Sequence, residues 1–253
     1  MLEVVKDMVR IERRHFGHCM MHAALLARKL GHKHITSIEF GVAGGNGLVA
    51  MERHAEAIQA KTGVEIVVYG FDLGQGLPPP QDYRDMPYLF QPGWYSMDIA
   101  KLKARLKSAQ LVLGDVAETT RDFTARENPP PIGFISFDLD YYSSTAAALK
   151  IFESEHRYLL PRVACYFDDI VGDVDWAYNE YTGELLAINE FNATHDDIKI
   201  ARVNGLRFFR KWIPKAWHEQ IFVAHLFTHA DYGTPMIETK EELPLKPARP
   251  GWR

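Results

Sequence analysis

Apolar and polar positions along this chain alternate between two periods, one for helices and one for strands. Residues 3–30 place apolar side chains every three or four positions, which predicts one amphipathic helix. A β-branched run follows from residue 35 and ends at Glu39. A glycine-rich turn comes next, and helical periodicity resumes near Leu48 and lasts to about Ala60. Residues 65–71 (EIVVYGF) predict a buried strand ending in Asp72. A helix over 98–106 leads to a strand over 109–113, the turn Gly114-Asp115 and a helix over 117–126. The run 132–138 (IGFISFD) predicts a strand that passes into Asp140, Tyr141 and Tyr142, with Ser143 or Ser144 placed to cap the next helix. The strand 162–167 (RVACYF) ends in Asp168-Asp169, a helix is expected over 176–192, and strands over 198–203 and 220–227 form a final hairpin-like pair.

Strands alternating with helices predict an α/β fold, a Rossmann-like and mostly parallel sheet with helices on both faces. The closing pair would add an antiparallel last strand. Three units are expected: an N-terminal helical segment over 1–34 (a lid or dimer element), a main domain over 35–230, and a tail over 231–253. The stretch 73–97, with its GLPPP and Gly93-Trp94-Tyr95, is too long for a simple connection and reads as a functional loop.

Composition narrows the function classes. With 47% apolar residues, the 253-residue chain can bury a full core. A formal net charge of −4 without a Lys/Arg run leaves no electrostatic footprint for nucleic acid. Charges every few residues in the first thirty positions argue against a signal peptide or a membrane span. Cys19 and Cys165 do not make a disulfide scaffold, so a reducing cytoplasm is the expected setting.

The candidate chemistry lies in acids that follow strands on one side of the sheet. Glu39 precedes the glycine turn by two residues. A pyrophosphate wants a helix N-terminus without a carboxylate close by, whereas a carboxylate there suits an ammonium group. Asp72, ending the second strand, is placed to accept from a ribose diol. Asp115, ending the third, is placed to accept from the exocyclic amine of adenine. Amine, ribose and adenine in that order describe S-adenosylmethionine. The competing cofactor is a nicotinamide dinucleotide, because residues 45–50 fit G-x-G-x-x-A. That match begins four residues past Gly41, after the strand has ended.

A second constellation comprises Asp138, Asp140, Asp168 and Asp169. Each alone reads as a cap or a turn residue. Strand alternation would put Asp138 and Asp140 on one face, beside Asp168-Asp169 at the end of the adjacent strand. Converging carboxylates need protons or a cation, and an all-oxygen set suits Mg²⁺. Methyl transfer to a hydroxyl gains from such a cation, which lowers the hydroxyl pKa, with Asp140 placed to take the proton. Trp94, Tyr95, Tyr141 and Tyr142 could line an acceptor pocket. His15, His18 and His22 share a helix face, for which plain partial exposure is the simpler account.

The ordered segments 39–45 (EFGVAGG), 68–72 (VYGFD) with Gly76-Leu77-Pro78, and Leu113-Gly114-Asp115 with Glu118-Thr119 resemble a known family. So do 137–145 (FDLDYYSST), Phe167-Asp168-Asp169 and 187–191 (AINEF). Together they resemble the class I S-adenosylmethionine-dependent methyltransferases, specifically the macrocin O-methyltransferase family. The chain departs from that family's pattern at Leu73-Gly74, where an aromatic residue is usual, and at Ala43-Gly44, where bulkier residues are common. The resemblance implies a Rossmann-like sheet with a reversed final strand, often a homodimer, and a divalent metal, usually magnesium, at Asp138, Asp168 and Asp169. On this reading Glu39, Gly41, Gly45, Asp72, Asp115 and Val116 would form the donor site, with Asp138 and Asp140 as catalytic carboxylates. The acceptor would be a hydroxyl of a small molecule, on a sugar-bearing natural product or a phenol. Two other classes stay open: a nicotinamide-dependent oxidoreductase, and a non-catalytic S-adenosylmethionine-binding module.

Overall fold

Seven strands pair in the order β3-β2-β1-β4-β5-β7-β6. A computed structural model of the chain describes residues 11–209 and 215–236. The helix α1 (Arg14–Lys29) precedes β1 (His34–Phe40), and α2 (Asn46–Thr62) leads to β2 (Glu65–Asp72). Then come α3 (Ile99–Arg105), β3 (Gln110–Leu113), α4 (Val116–Glu127), β4 (Ile132–Phe137) and α5 (Tyr142–Leu149). The chain continues through β5 (Leu159–Phe167), α6 (Gly183–Thr194), β6 (Ile198–Arg202), the short α7 (Leu206–Phe209) and β7 (Ile221–Leu226). The first five strands are mutually parallel, and β7 runs antiparallel to both β5 and β6. The expected fold class is therefore the observed one, a Rossmann-like sheet with a reversed last strand.

Two cores flank the sheet. On one face α1, α2 and α3 bury Phe16, Met20, Leu48, Met51 and Leu102 over Ile35, Val68 and Phe134. On the other, α4, α5 and α6 bury Phe123, Leu149 and Phe191 over Phe40, Phe137 and Phe167. The segment before β1 thus packs into the sheet, through α1. Among the described residues no helix is long and apolar enough to cross a membrane.

The register sets up the site. Phe71, Phe40, Phe137 and Phe167 sit side by side across β2, β1, β4 and β5. Their rings form a continuous floor, with centroids 4.7, 5.6 and 4.6 Å apart in turn. Each phenylalanine is the last residue, or last but one, of its strand, so the next residues share one rim: Asp72, Gly41, Asp138 and Asp168. The ladder persists one step beyond, with Gly41 N–H donating to Phe71 O, Asp138 N–H to Phe40 O, and Asp168 N–H to Phe137 O. β1 and β4 are where the strand order reverses, the position of ligand crevices in open parallel sheets.

Several sequence expectations are corrected here. The helix read over 176–192 begins only at Gly183, because Ala177 and Gly183 take positive φ and Asn179 builds a turn with Ala177 O and Thr182 Oγ1. Neither Ser143 nor Ser144 caps α5; Tyr141 is its N-cap residue, without a side-chain bond. β4 stops at Phe137 and Asp140 adopts φ 61°, so strand alternation is not what brings Asp138 and Asp140 together. The helix read over 3–30 is seen from Arg14 to Lys29, with residues 11–13 outside it; residues 1–10 and the tail beyond residue 236 lie outside the described residues.

Candidate active site

One cavity of about 570 Å³ opens at this rim. Glu39, Gly41, Gly45, Asp72, Asp115, Val116, Asp138, Asp140, Asp168 and Asp169 all line it. Its seven carboxylates face a single Lys or Arg among the described lining residues, Arg13.

The glycine turn is held by Asp72. Its Oδ2 accepts from the backbone N–H groups of Val42 at 2.9 Å and Ala43 at 2.8 Å, and its Oδ1 accepts from Gly74 N–H at 2.5 Å. A protein carboxylate therefore occupies the backbone donors that a phosphate would seek in such a turn. Gly41 is required here, since its φ is +83° and a Cβ would collide with the Asp138 carbonyl oxygen.

Glu39 lies against the first turn of α2, where a Cβ on Gly47 would strike its Oε1. The side chain is 1% exposed and Oε2 has no hydrogen-bond partner among the described residues. Burial lifts its carboxyl to about 8; Arg13 opposes the rise, while Asp72 and Asp168 add to it. An unpaired buried acceptor of this kind is costly unless a ligand donor completes it. Asp115 caps α4 by accepting from Ala117 N–H at 2.8 Å, which spends one of its oxygens on the fold.

The second group of acids is crowded, with Asp140 and Asp169 buried and Asp138 and Asp168 half-buried. Burial first, then Asp168 and Asp169, raise the Asp138 carboxyl well above its usual range. Asp140 rises to about 9, by burial and then by Asp169 and Asp168, and Asp169 to about 7, by burial and then by Asp168. Asp169 accepts from Tyr178 O–H at 2.9 Å and from Asp140 N–H at 3.1 Å. Asp168 accepts from Tyr166 O–H at 2.6 Å. Below them Glu184, fully buried, accepts from Asp169 N–H at 3.1 Å. The donor set is all oxygen, the chemistry of a hard cation. Among the described residues, however, no group of three or more His, Cys, Asp or Glu side chains is arranged to hold an ion.

The aromatic expectations divide. Trp94 and Tyr95 line the cavity. Tyr141 does not; it is fully buried against Met86 and Phe90. Tyr142 faces outward, bonding Glu190 at 2.5 Å beneath the Arg84 guanidinium. Trp176 and Tyr178, hidden in a stretch that reads as helix, line the cavity instead. None of His15, His18 and His22 lines it. His15 stacks on Tyr166 with centroids 4.2 Å apart, and His18 lies against His22 and Trp217. Arg13 was also missed, because its run RIERRH gives no reason to single out one arginine.

Two solved structures similar to the chain are O-methyltransferases. The crystal structure of CalS11, a calicheamicin methyltransferase, is 22% identical with a TM-score of 0.54, covering 83% of this chain and 77% of that one. The structure of the O-methyltransferase NovP is 13% identical with a TM-score of 0.51, covering 76% and 77%. No family model matches the chain, and no curated protein matches it. At these identities the likeness establishes the fold alone: the chain shares the Rossmann-like fold of these two proteins.

Proposed function

We propose that the protein is an S-adenosylmethionine-dependent O-methyltransferase acting on a hydroxyl of a small molecule. The observation that carries this reading is the pairing of a buried, unpartnered Glu39 carboxylate with a glycine turn whose N–H groups already serve Asp72. That arrangement favours an ammonium over a pyrophosphate, and so favours a methyl donor over a nicotinamide dinucleotide. Glu39 would take the donor's ammonium, with Gly41 and Gly45 giving close backbone approach. Asp72 keeps lone-pair capacity for a ribose hydroxyl, and Asp115 and Val116 would border the adenine.

Asp138, Asp168 and Asp169 would hold a divalent cation such as Mg²⁺ after a rearrangement of their side chains, since they are not arranged to hold one here. Such an ion would supply Lewis acidity that lowers the pKa of an acceptor hydroxyl. Asp140, beside them on the rim, is held protonated by burial and its acidic neighbours; a cation's charge there would favour its ionised form, which would receive the hydroxyl proton as the oxygen attacks the methyl carbon. Trp94, Tyr95, Trp176 and Tyr178 offer flat walls with polar edges, suited to a sugar-bearing or phenolic acceptor. Holding donor and acceptor in line supplies much of the rate.

The test is transfer of a labelled methyl group from S-adenosylmethionine to a panel of sugars and phenols, in magnesium and again after chelation. Label in a methyl ether, with one S-adenosylhomocysteine per product and loss on chelation, is expected. Transfer unaffected by chelation would remove the metal, and label on nitrogen or carbon would overturn O-methylation.

A further inference from the structure

Arg13 stands at the entrance to α1 with φ 50° and ψ 57°, a left-handed conformation that a non-glycine residue holds only when its surroundings compel it. Its carbonyl accepts from Phe16 N–H at 2.9 Å, and its guanidinium lies 5.3 Å from the Phe16 ring centroid. The side chain is thereby aimed into the cavity. Among the described residues its one ion pair is with Asp138 Oδ2 at 3.7 Å, longer than a charge-assisted hydrogen bond. Most of its five N–H donors are thus available to a ligand.

S-adenosylmethionine carries an ammonium and a carboxylate on one carbon. Glu39 answers the first and repels the second, as do the other acids of the cavity. Four N–H donors of the glycine turn are already committed, which leaves it little to offer a carboxylate's charge: Gly41 N–H to Phe71 O, Val42 and Ala43 N–H to Asp72, and Gly45 N–H to Val42 O. Arg13 is the cation left to receive it.

We propose that Arg13 binds the α-carboxylate of the donor, so that Glu39 and Arg13 grip the amino-acid end by its two opposite charges. This rests on the reading of the cavity as an S-adenosylmethionine site. Arg13 acts as a binding and selectivity residue: it makes the pocket discriminate an intact donor or its product from the same nucleoside thioether without an amino acid. It is also close enough to Glu39 to favour that residue's ionised form.

The experiment compares S-adenosylhomocysteine with 5′-methylthioadenosine, which lacks the amino-acid end, by calorimetric titration of the full chain. The wild type, Arg13→Met and Arg13→Lys are titrated in parallel. The wild type should prefer S-adenosylhomocysteine by about a hundredfold or more. Arg13→Met should lose ten- to a hundredfold for that ligand and stay within about twofold for methylthioadenosine, which also reports that the nucleoside pocket is folded. Arg13→Lys should recover part of the loss, since it keeps the charge without the planar fork. An Arg13→Met variant that binds S-adenosylhomocysteine like the wild type overturns the assignment while leaving the donor site standing. Equal weakening for both ligands overturns it too, in favour of a structural role. A wild type that binds neither ligand removes the donor reading itself and the assignment with it.

Discussion

Asp85 reaches from the long loop after β2 to the start of α5 and accepts both the backbone N–H of Ser143, at 2.8 Å, and its hydroxyl, at 2.9 Å. The carboxylate is 1% exposed and also accepts Gln81 N–H at 2.8 Å. It therefore supplies from another element the acceptor that α5 lacks at its own N-cap, and it fixes the loop that carries Trp94 and Tyr95. Asp85→Ala should cost about 0.5–2 kcal/mol, as loss of a helix cap does, a fall in melting temperature of a few degrees for a chain of this size. Donor affinity should hold while the KM for acceptor rises. Thermal unfolding together with donor titration checks both halves.

Asp72 pins the glycine turn, so its loss should act on donor binding and on the fold together. Asp72→Ala leaves Val42, Ala43 and Gly74 N–H without their acceptor. A charged acceptor is worth about 1.5–3 kcal/mol per hydrogen bond, so donor affinity should fall at least tenfold, with a lowered melting temperature. Unchanged donor affinity would mean that the turn holds its shape without Asp72.

Glu39 should lose its proton when the donor arrives. With its carboxyl lifted to about 8 by burial, it is mostly protonated at pH 7 in the ligand-free protein. An ammonium ligand selects the ionised form, so binding at pH 7 should release close to one proton. Titrations in two buffers of different ionisation enthalpy measure this. Glu39→Gln should abolish the release and weaken binding by about 1.5–3 kcal/mol. Gly47→Ala, whose Cβ would displace the same carboxylate, should weaken binding similarly with the fold retained.

Stability of the ligand-free protein should decline as pH rises from about 6.5 to 9. Glu39, Asp140 and Asp169 titrate in the fold near 8, 9 and 7, above their ordinary values. The folded state thus holds more protons than the unfolded one, and its stability is lost as pH climbs through the folded values. Glu39 alone contributes about 2 kcal/mol of this loss between pH 6.5 and 8. His15 works at the other end: burial lowers its pKa to about 3, so its contribution is lost as pH falls below 6.5. Melting curves of the wild type and Glu39→Gln should diverge as pH rises from about 5 to 8 and run parallel beyond it, the variant being the flatter.

The sheet was legible in the chain because each buried strand is a short apolar run that ends in a residue apolar burial does not explain: Glu39, Asp72, Asp138, Asp168. Register then did the rest, since four phenylalanines in line put the acids that follow three of them on one rim. The site's other wall was not legible. Residues 176–182 read as the first turns of a helix over 176–192, yet Ala177 and Gly183 take positive φ and the segment stays irregular, with Trp176 and Tyr178 over the cavity. Tyr141 reads as an acceptor contact beside Asp140, yet its ring is buried in a small cluster beneath the loop. Arg13 enters the cavity through a backbone conformation that no residue-type pattern announces.

The central claim is that this cavity takes S-adenosylmethionine by its ammonium. The most direct measurement is calorimetric titration of the purified chain with S-adenosylmethionine and, separately, with NAD, in the wild type and in Glu39→Gln. Micromolar binding of the methyl donor that the variant loses at least tenfold, with no heat from NAD, is the expected result. Binding of NAD, or donor binding indifferent to Glu39, would contradict the account.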